Sequence, residues 1–166
     1  GPGEMTEGNI VARMIADPLG GRLPALVGPA DRRWSYAFVE DVAEGHVLAL
    51  ERARAGDRFV LGGENATLAR LFDLVHEVAG KEPPRRRVPY AVASLVGRAQ
   101  WLWAELTGHP PQLTHGEVGV FREEWACDSE RAVRELGYSP RTLAEGLRET
   151  VRWLREAGLA PGRGAA

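Results

Sequence analysis

Cysteine and lysine are nearly missing from this 166-residue chain, with Cys127 and Lys81 the sole examples of each. A single cysteine excludes an intramolecular disulfide and any zinc site built on cysteine pairs, and it fits a reducing, cytoplasmic setting. No apolar run approaches the roughly 18 residues of a membrane span. The first residues also lack the positive stretch and apolar core of a secretion signal. Asn65-Ala66-Thr67 therefore reads as a chance match to the glycosylation pattern. Neither sign of charge dominates: 21 basic and 23 acidic residues are mixed along the chain, for a net charge of -2. This balance points away from nucleic acid and from membrane as partners.

Chemical motifs are just as sparse. No G-x-G-x-x-G run exists to bring backbone against a pyrophosphate at a helix start. His46, His76, His109 and His115 include no pair at the i, i+4 spacing of a helical metal site, so they read as structural and no metal is expected. Ser35 and Ser94 lack the turn that exposes a nucleophile. Cys127, between Ala126 and Asp128, reads as a small buried hydrophobe. Arg85, Arg86 and Arg87 follow Pro83-Pro84 and read as a solvated loop, because three adjacent guanidinium groups converge on one anion only if the loop folds back.

What is present is a folded-domain composition, 44% hydrophobic, with clear periodicities. Residues 9 to 16 read as a short helix that Pro18 should end. From Trp34 the residues alternate as in a strand covered on both faces, with Trp34, Tyr36 and Phe38 on one side. Asp41 is the expected N-cap of a helix whose stripe is Ala43, Val47, Leu50 and Arg54. Arg58 to Leu61 reads as a second strand, giving a βαβ unit. Thr67 should cap a helix burying Leu68, Leu71, Phe72, Val75 and Ala79 up to Gly80. A longer helix over about 89 to 106 is expected to face Val92, Leu95, Val96, Ala99, Leu102, Trp103 and Leu106 inward. Asp128 should cap a helix ending at Leu136, where Gly137 suits a left-handed stop and Tyr138 packs back. Thr142 should cap the last helix, which buries Leu143, Leu147, Val151 and Leu154. The expected organisation is residues 1–66 as sheet and site loops, 67–158 as a mainly helical lobe, and 159–166 as a flexible tail.

Several of these pieces together resemble a known family. The segment Trp34 to Glu51, with Val39-Glu40-Asp41-Val42-Ala43 at its centre, is similar to the Tyr-Val-Asp-Asp-Val-Ala type segment of extended short-chain dehydrogenases, the NAD-dependent epimerase/dehydratase family. Leu61-Gly62-Gly63-Glu64-Asn65, Trp125-Ala126-Cys127-Asp128, Leu136-Gly137-Tyr138-Ser139-Pro140 and Leu143-Ala144-Glu145-Gly146-Leu147 follow in the family's C-terminal order. The resemblance is nearest to dihydroflavonol reductase-like and hopanoid-associated sugar epimerase-like proteins. It implies an α/β fold: the C-terminal part of a Rossmann-type enzyme, a βαβ element plus a mostly helical substrate-binding lobe.

The same resemblance implies a division of labour. NAD or NADP would be the cofactor, held mainly by a half that lies on the N-terminal side in the family. Gly1, Pro2 and Gly3 would form the turn beside the nicotinamide, if they are not the scar of a cleaved tag. Asn9, Arg33 and Trp125 fall where relatives hold a small carbonyl or nucleotide-sugar substrate; Arg33 also reads as a surface arginine, and Trp125 as core packing. No catalytic residue is assigned, because none of Tyr36, Tyr90 and Tyr138 has a lysine four residues on. The chain is then expected to be inactive alone, as the substrate-binding portion of a reductase or epimerase, or else a non-catalytic module pairing with a separate cofactor half. If the sheet is built to be covered on both faces by elements of the missing half, an apolar patch at Trp34, Tyr36 and Phe38 should be exposed in this chain alone and cause self-association.

Overall fold

The computed structural model describes residues 1–3, 10–20, 26–80, 86–109 and 115–159. In chain order the elements are α1 (Ile10–Leu19), β1 (Leu26–Val27), β2 (Arg33–Tyr36), α2 (Val39–Arg52), β3 (Glu64–Thr67), α3 (Leu68–Ala79), β4 (Arg87–Val88), α4 (Tyr90–Thr107), α5 (His115–Val120), α6 (Glu130–Leu136) and α7 (Leu143–Glu156). Helices dominate, and the strands form two small ladders. β1 pairs with β4 in parallel, and β2 pairs with β3 in antiparallel register, Arg33 opposite Thr67 and Tyr36 opposite Glu64.

The strongest periodic segments fold as their sequences dictate. Leu68, Leu71, Phe72, Val75 and Ala79 are all buried on α3, whose first turn is capped by Thr67 Oγ1 accepting from Arg70 N at 3.1 Å. On α7, Leu143, Leu147, Val151 and Leu154 are buried, and Thr142 and Glu145 form a reciprocal capping box. These two helices pack on each other and on α1, with Ile15, Trp34 and Tyr36 in the same apolar core. A smaller core gathers Ala132, Leu136 and Tyr138 against Leu48, Ala49, Phe59 and Leu61. Gly137 stops α6 at φ +73°, and the Tyr138 amide reaches back to the Ala132 carbonyl at 3.2 Å.

Other expectations need correction. α2 starts at Val39, so Asp41 lies in its first turn; Phe38 holds the cap position and makes no side-chain cap bond. The buried positions of α2 are Asp41 and Gly45, whereas Val47 is 52% and Leu50 87% exposed. The cause is Gly45: a Cβ there would sit 2.8 Å from a Leu61 methyl and 3.1 Å from the Tyr138 ring, so the missing side chain lets α2 approach the smaller core on this face. Pro18 does not end α1, because in the last turn its missing N–H removes a single bond while the Gly20 amide still reaches the Ala16 carbonyl at 2.9 Å.

The expected second strand of the βαβ unit, Arg58 to Leu61, is in no ladder, and the backbone of Phe59 to Leu61 makes no hydrogen bond among the described residues. Glu64 to Thr67 takes the strand role instead, folding back antiparallel because Gly63 passes directly over the Tyr36 carbonyl, where a Cβ would lie 1.9 Å from the oxygen. Trp34, Tyr36 and Phe38 do not form an exposed patch either. All three are buried at 6–8% exposure, under Phe121, which stacks on Trp34 at 5.5 Å, and Arg141, whose guanidinium lies 4.0 Å from the Phe38 ring centre. The inward face expected of α4 is turned to solvent, and only Ala93 and Gly97 are buried there. The Pro83-Pro84-Arg85 stretch and the tail from Pro161 lie outside the described residues.

Candidate functional site

β2 organises the ground on which a site can lie, and its two ends differ. At the Tyr36 end is a cavity of about 460 Å³ lined by Gly1, Pro2 and Gly3 on one side and by Tyr36 to Val39 on another, closed below by Leu71, Leu147 and the Arg141-Thr142-Leu143 corner. Gly146 lets the Phe38 ring lie against the start of α7, since a Cβ would meet the ring at 3.0 Å. The walls are largely apolar, as expected of a small-molecule cavity.

Tyr36 lines this cavity, and its hydroxyl is buried with no hydrogen-bond partner among the described residues. Burial pushes the phenol well above the usual tyrosine value, so near neutrality the group is a protonated donor and not a base. An unmet buried donor of this kind favours a ligand with an acceptor oxygen or nitrogen.

The cation of the cavity is already engaged. Arg141 Nε donates to Asp41 Oδ1 at 2.8 Å, its backbone amide donates to Asp41 Oδ2 at 2.9 Å, and Nη1 lies 2.9 Å from Glu149 Oε1. Asp41 is 5% exposed, so the pair is mostly withdrawn from water and clamps α2 to the corner before α7. With its guanidinium shared between carboxylates, Arg141 is poorly placed to neutralise a phosphate. The described lining therefore suits an uncharged ring carrying hydrogen-bond acceptors, and it offers no built seat for a pyrophosphate.

The other end of β2 carries Arg33 and, through an isolated parallel bridge beside Trp34, Trp125. The Trp125 amide donates to the Arg33 carbonyl at 2.9 Å, and the Ser35 amide donates to the Trp125 carbonyl at 3.0 Å. Arg33 Nε is bonded to Glu124 Oε1 at 2.6 Å, and the Trp125 indole donates to the Val120 carbonyl at 3.0 Å while the residue stays 52% exposed. Neither Arg33 nor Trp125 lines the cavity at the Tyr36 end, and Asn9 lies outside the described residues. The fold thus joins Gly1, Pro2 and Gly3 to Tyr36, and Arg33 to Trp125, as two separate groups.

The segment after Trp125 is tied down by one side chain. Asn65 Oδ1 accepts from the Cys127 amide at 3.0 Å, and Asn65 Nδ2 donates to the Cys127 carbonyl at 2.8 Å. Cys127 itself is exposed, contrary to the buried hydrophobe expected; it is its main chain, through amide and carbonyl, that Asn65 holds against the protein. Gly62 and Gly63 donate to Ser129 and Ser35 hydroxyls at 2.9 and 3.0 Å, which accounts for Ser35 without any nucleophilic role. Tyr36 and Arg141 were not singled out in sequence as site residues. The alternation marked Tyr36 only as apolar, and the acid partner of Arg141 is 100 positions away.

Comparison with known proteins agrees with this architecture. Residues 1–62 match the NAD dependent epimerase/dehydratase family. A provisionally named dihydroflavonol 4-reductase of Synechocystis sp. is 28% identical over 124 residues, covering 72% of this chain and 36% of the relative. The solved structure of gox2253 superposes with a TM-score of 0.70 at 32% identity, over 91% of this chain and 45% of that one. A nucleoside-diphosphate-sugar epimerase from Pseudomonas aeruginosa gives 0.68 at 25% identity, over 95% and 46%. The chain thus spans less than half the length of each. No helix among the described residues is long and apolar enough to cross a membrane. In its ordered motifs, in the match over residues 1–62 and in its fold, the chain is similar to part of the NAD-dependent epimerase/dehydratase family of extended short-chain dehydrogenases.

Proposed function

We propose that this chain is the C-terminal, substrate-binding portion of a cytoplasmic NAD(P)-dependent reductase or sugar epimerase, with the cofactor-binding half and the Tyr-Lys catalytic pair outside it. The observation that carries the reading is the cavity between Gly1-Pro2-Gly3 and Tyr36 to Val39, with its unpartnered Tyr36 hydroxyl. Its lining fits the nicotinamide end of a dinucleotide better than the pyrophosphate end, in keeping with a sequence that has no phosphate-binding glycine run. When bound, the nicotinamide would exchange hydride with a carbonyl or sugar carbon. This chain's own residues would orient the partners: Gly1, Pro2 and Gly3 against the ring, and Asn9, Arg33 and Trp125 with residues 67–158 toward the carbonyl compound or nucleotide sugar.

A second reading is supported by a different surface. The backbone of Phe59 to Leu61, unpaired among the described residues and carrying exposed Val60, suits a non-catalytic module that docks a separately encoded cofactor half. Titrating NADH fluorescence with this chain alone should give no change, and micromolar binding would overturn the incomplete-site reading. The genomic DNA immediately upstream separates the two readings. An in-frame glycine fingerprint and Tyr-Lys pair support the enzyme portion, and their absence supports the module.

A further inference from the structure

Residues 122–128 run along the edge of β2 that β3 does not occupy, and every one of them is exposed. Burial of apolar surface therefore contributes little to their attachment. Phe121, stacked on Trp34, fixes the entry to this stretch, and Ser129, accepting from the Gly62 amide, fixes its exit. Between those points the attachment is polar: Trp125 bonds the Arg33 carbonyl and the Ser35 amide, Glu124 meets Arg33, and Cys127 is bonded by Asn65. The ion pair is open to water, its side chains 60% and 43% exposed, and so holds the edge only weakly. The firm contact at the far end of the stretch is Asn65.

Asn65 makes that contact from the opposite side of β2. β3 pairs with one edge of β2 and sets Asn65 opposite Ser35, while Trp125 bonds the other edge through Arg33 and Ser35. The Asn65 carboxamide thus spans β2 and meets both the amide and the carbonyl of Cys127, at 3.0 and 2.8 Å. It supplies the pair of bonds that a neighbouring strand would give to a residue facing it. A carboxamide can do so because its acceptor and its donors sit on separate atoms, whereas an ionised carboxylate has no donor. The Ser35 hydroxyl, accepting from the Gly63 amide at 3.0 Å, is engaged elsewhere and does not compete. The segments Leu61 to Asn65 and Trp125 to Asp128, 62 positions apart at this contact, are therefore one buckle.

We propose that Asn65 is a positioning residue: by clamping the Cys127 main chain it keeps Glu124 and Trp125 on the edge of β2, and so sets the placement of the Trp125 ring and of the Arg33 guanidinium. That Arg33 and Trp125 meet substrate rests on the function proposed above, whereas the clamp is measurable with no substrate present. Asn65 acts only through the main chain it holds.

Amide hydrogen exchange of the 166-residue chain, resolved by NMR, tests the clamp, with circular dichroism to verify folding of each variant. Asn65→Ala should speed exchange of the Ser35 and Trp125 amides at least about tenfold, and leave the Gly28 amide of the β1–β4 ladder within about twofold of wild type. Asn65→Asp adds a signature that lost packing would not give. Its protonated carboxyl can bond the Cys127 amide and carbonyl as the carboxamide does, and its ionised form cannot donate to the carbonyl. Relative to wild type at the same pH, Ser35 exchange in this variant should lie within about twofold near pH 4 and be at least about tenfold faster near pH 7. Asp128, Glu130 and Arg134 border the same hollow, and the wild-type comparison at each pH removes their titration. In a fluorotryptophan-labelled chain, with the signal assigned through Trp125→Phe, Asn65→Ala should shift the Trp125 resonance and leave those of Trp101 and Trp153 in place. Unchanged Ser35 exchange in Asn65→Ala, an equal rise at Gly28, an Asn65→Asp ratio that does not vary with pH, or an unmoved Trp125 resonance overturns the proposal. If Asn65→Ala does not fold, Asn65→Asp compared at the two pH values decides alone. Failure of the substrate reading would leave each of these results standing.

Discussion

Removing the Asp41 carboxylate should unfold this protein more readily than its position near a helix start suggests. Asp41→Ala deletes the acceptors of the Arg141 Nε bond at 2.8 Å and of the Arg141 backbone bond at 2.9 Å, at a site 5% exposed. Breaking one side of a buried pair costs about 3–5 kcal/mol. Here the Arg141 side chain is 26% exposed and keeps Glu149 at 2.9 Å, so the lower end applies, about 3 kcal/mol. For a chain of this size that is a fall in Tm of roughly 6–12 °C. The assay is thermal and urea unfolding followed by circular dichroism, run as a double-mutant cycle with Arg141→Ala. The pair should show a coupling of about 1.5–2 kcal/mol. A loss near 1 kcal/mol with no coupling to Arg141 would be the signature of a simple helix cap and would refute the clamp.

Two further outcomes follow from local geometry. Gly63→Ala drives a methyl into the Tyr36 carbonyl, 1.9 Å from the added carbon, and should cost at least about 3 kcal/mol in urea unfolding by displacing β3 from β2. Glu145 is held below its ordinary value of 4.5, first by the Thr142 hydroxyl and then by the Thr142 amide. A depressed acid contributes stability above its unfolded value and loses it as pH falls through the folded one. Glu145→Gln should therefore leave a shallower decline in stability between about pH 5 and pH 3 than wild type, and an unchanged decline would show that the capping box carries none of it.

What the sequence disclosed depended on how far each residue's partner lay. α3 and α7 were legible because their caps and apolar stripes are complete within 14 residues or fewer. The α6 stop was legible for the same reason, with Gly137 and Tyr138 acting on the helix just before them. The buried face of α2 was not, because a glycine, silent in any hydrophobic pattern, decides which side approaches the core. Asp41 was misread as a cap since Arg141 is 100 positions away. α4 shows the converse problem: its apolar spacing is real, but periodicity cannot say whether a stripe meets its own domain or something else. The family resemblance was legible from ordered motifs, and the Gly1-Pro2-Gly3 turn does border a cavity. The separation of Arg33 and Trp125 from that cavity followed only from β2 having two ends.

The contact between Asp41 and Arg141 also bears on how the chain matures. A ribosome adding about 5–20 residues per second needs roughly 5–20 s to make the stretch between them. Throughout that interval Asp41 lacks its counterion and Phe38 lacks the cover of Arg141, while Trp34 lacks Phe121 for most of it. The nascent chain therefore presents its stickiest residues early and conceals them late, so its yield in a cell should depend on chaperone capacity more steeply than the stability of the finished protein would indicate.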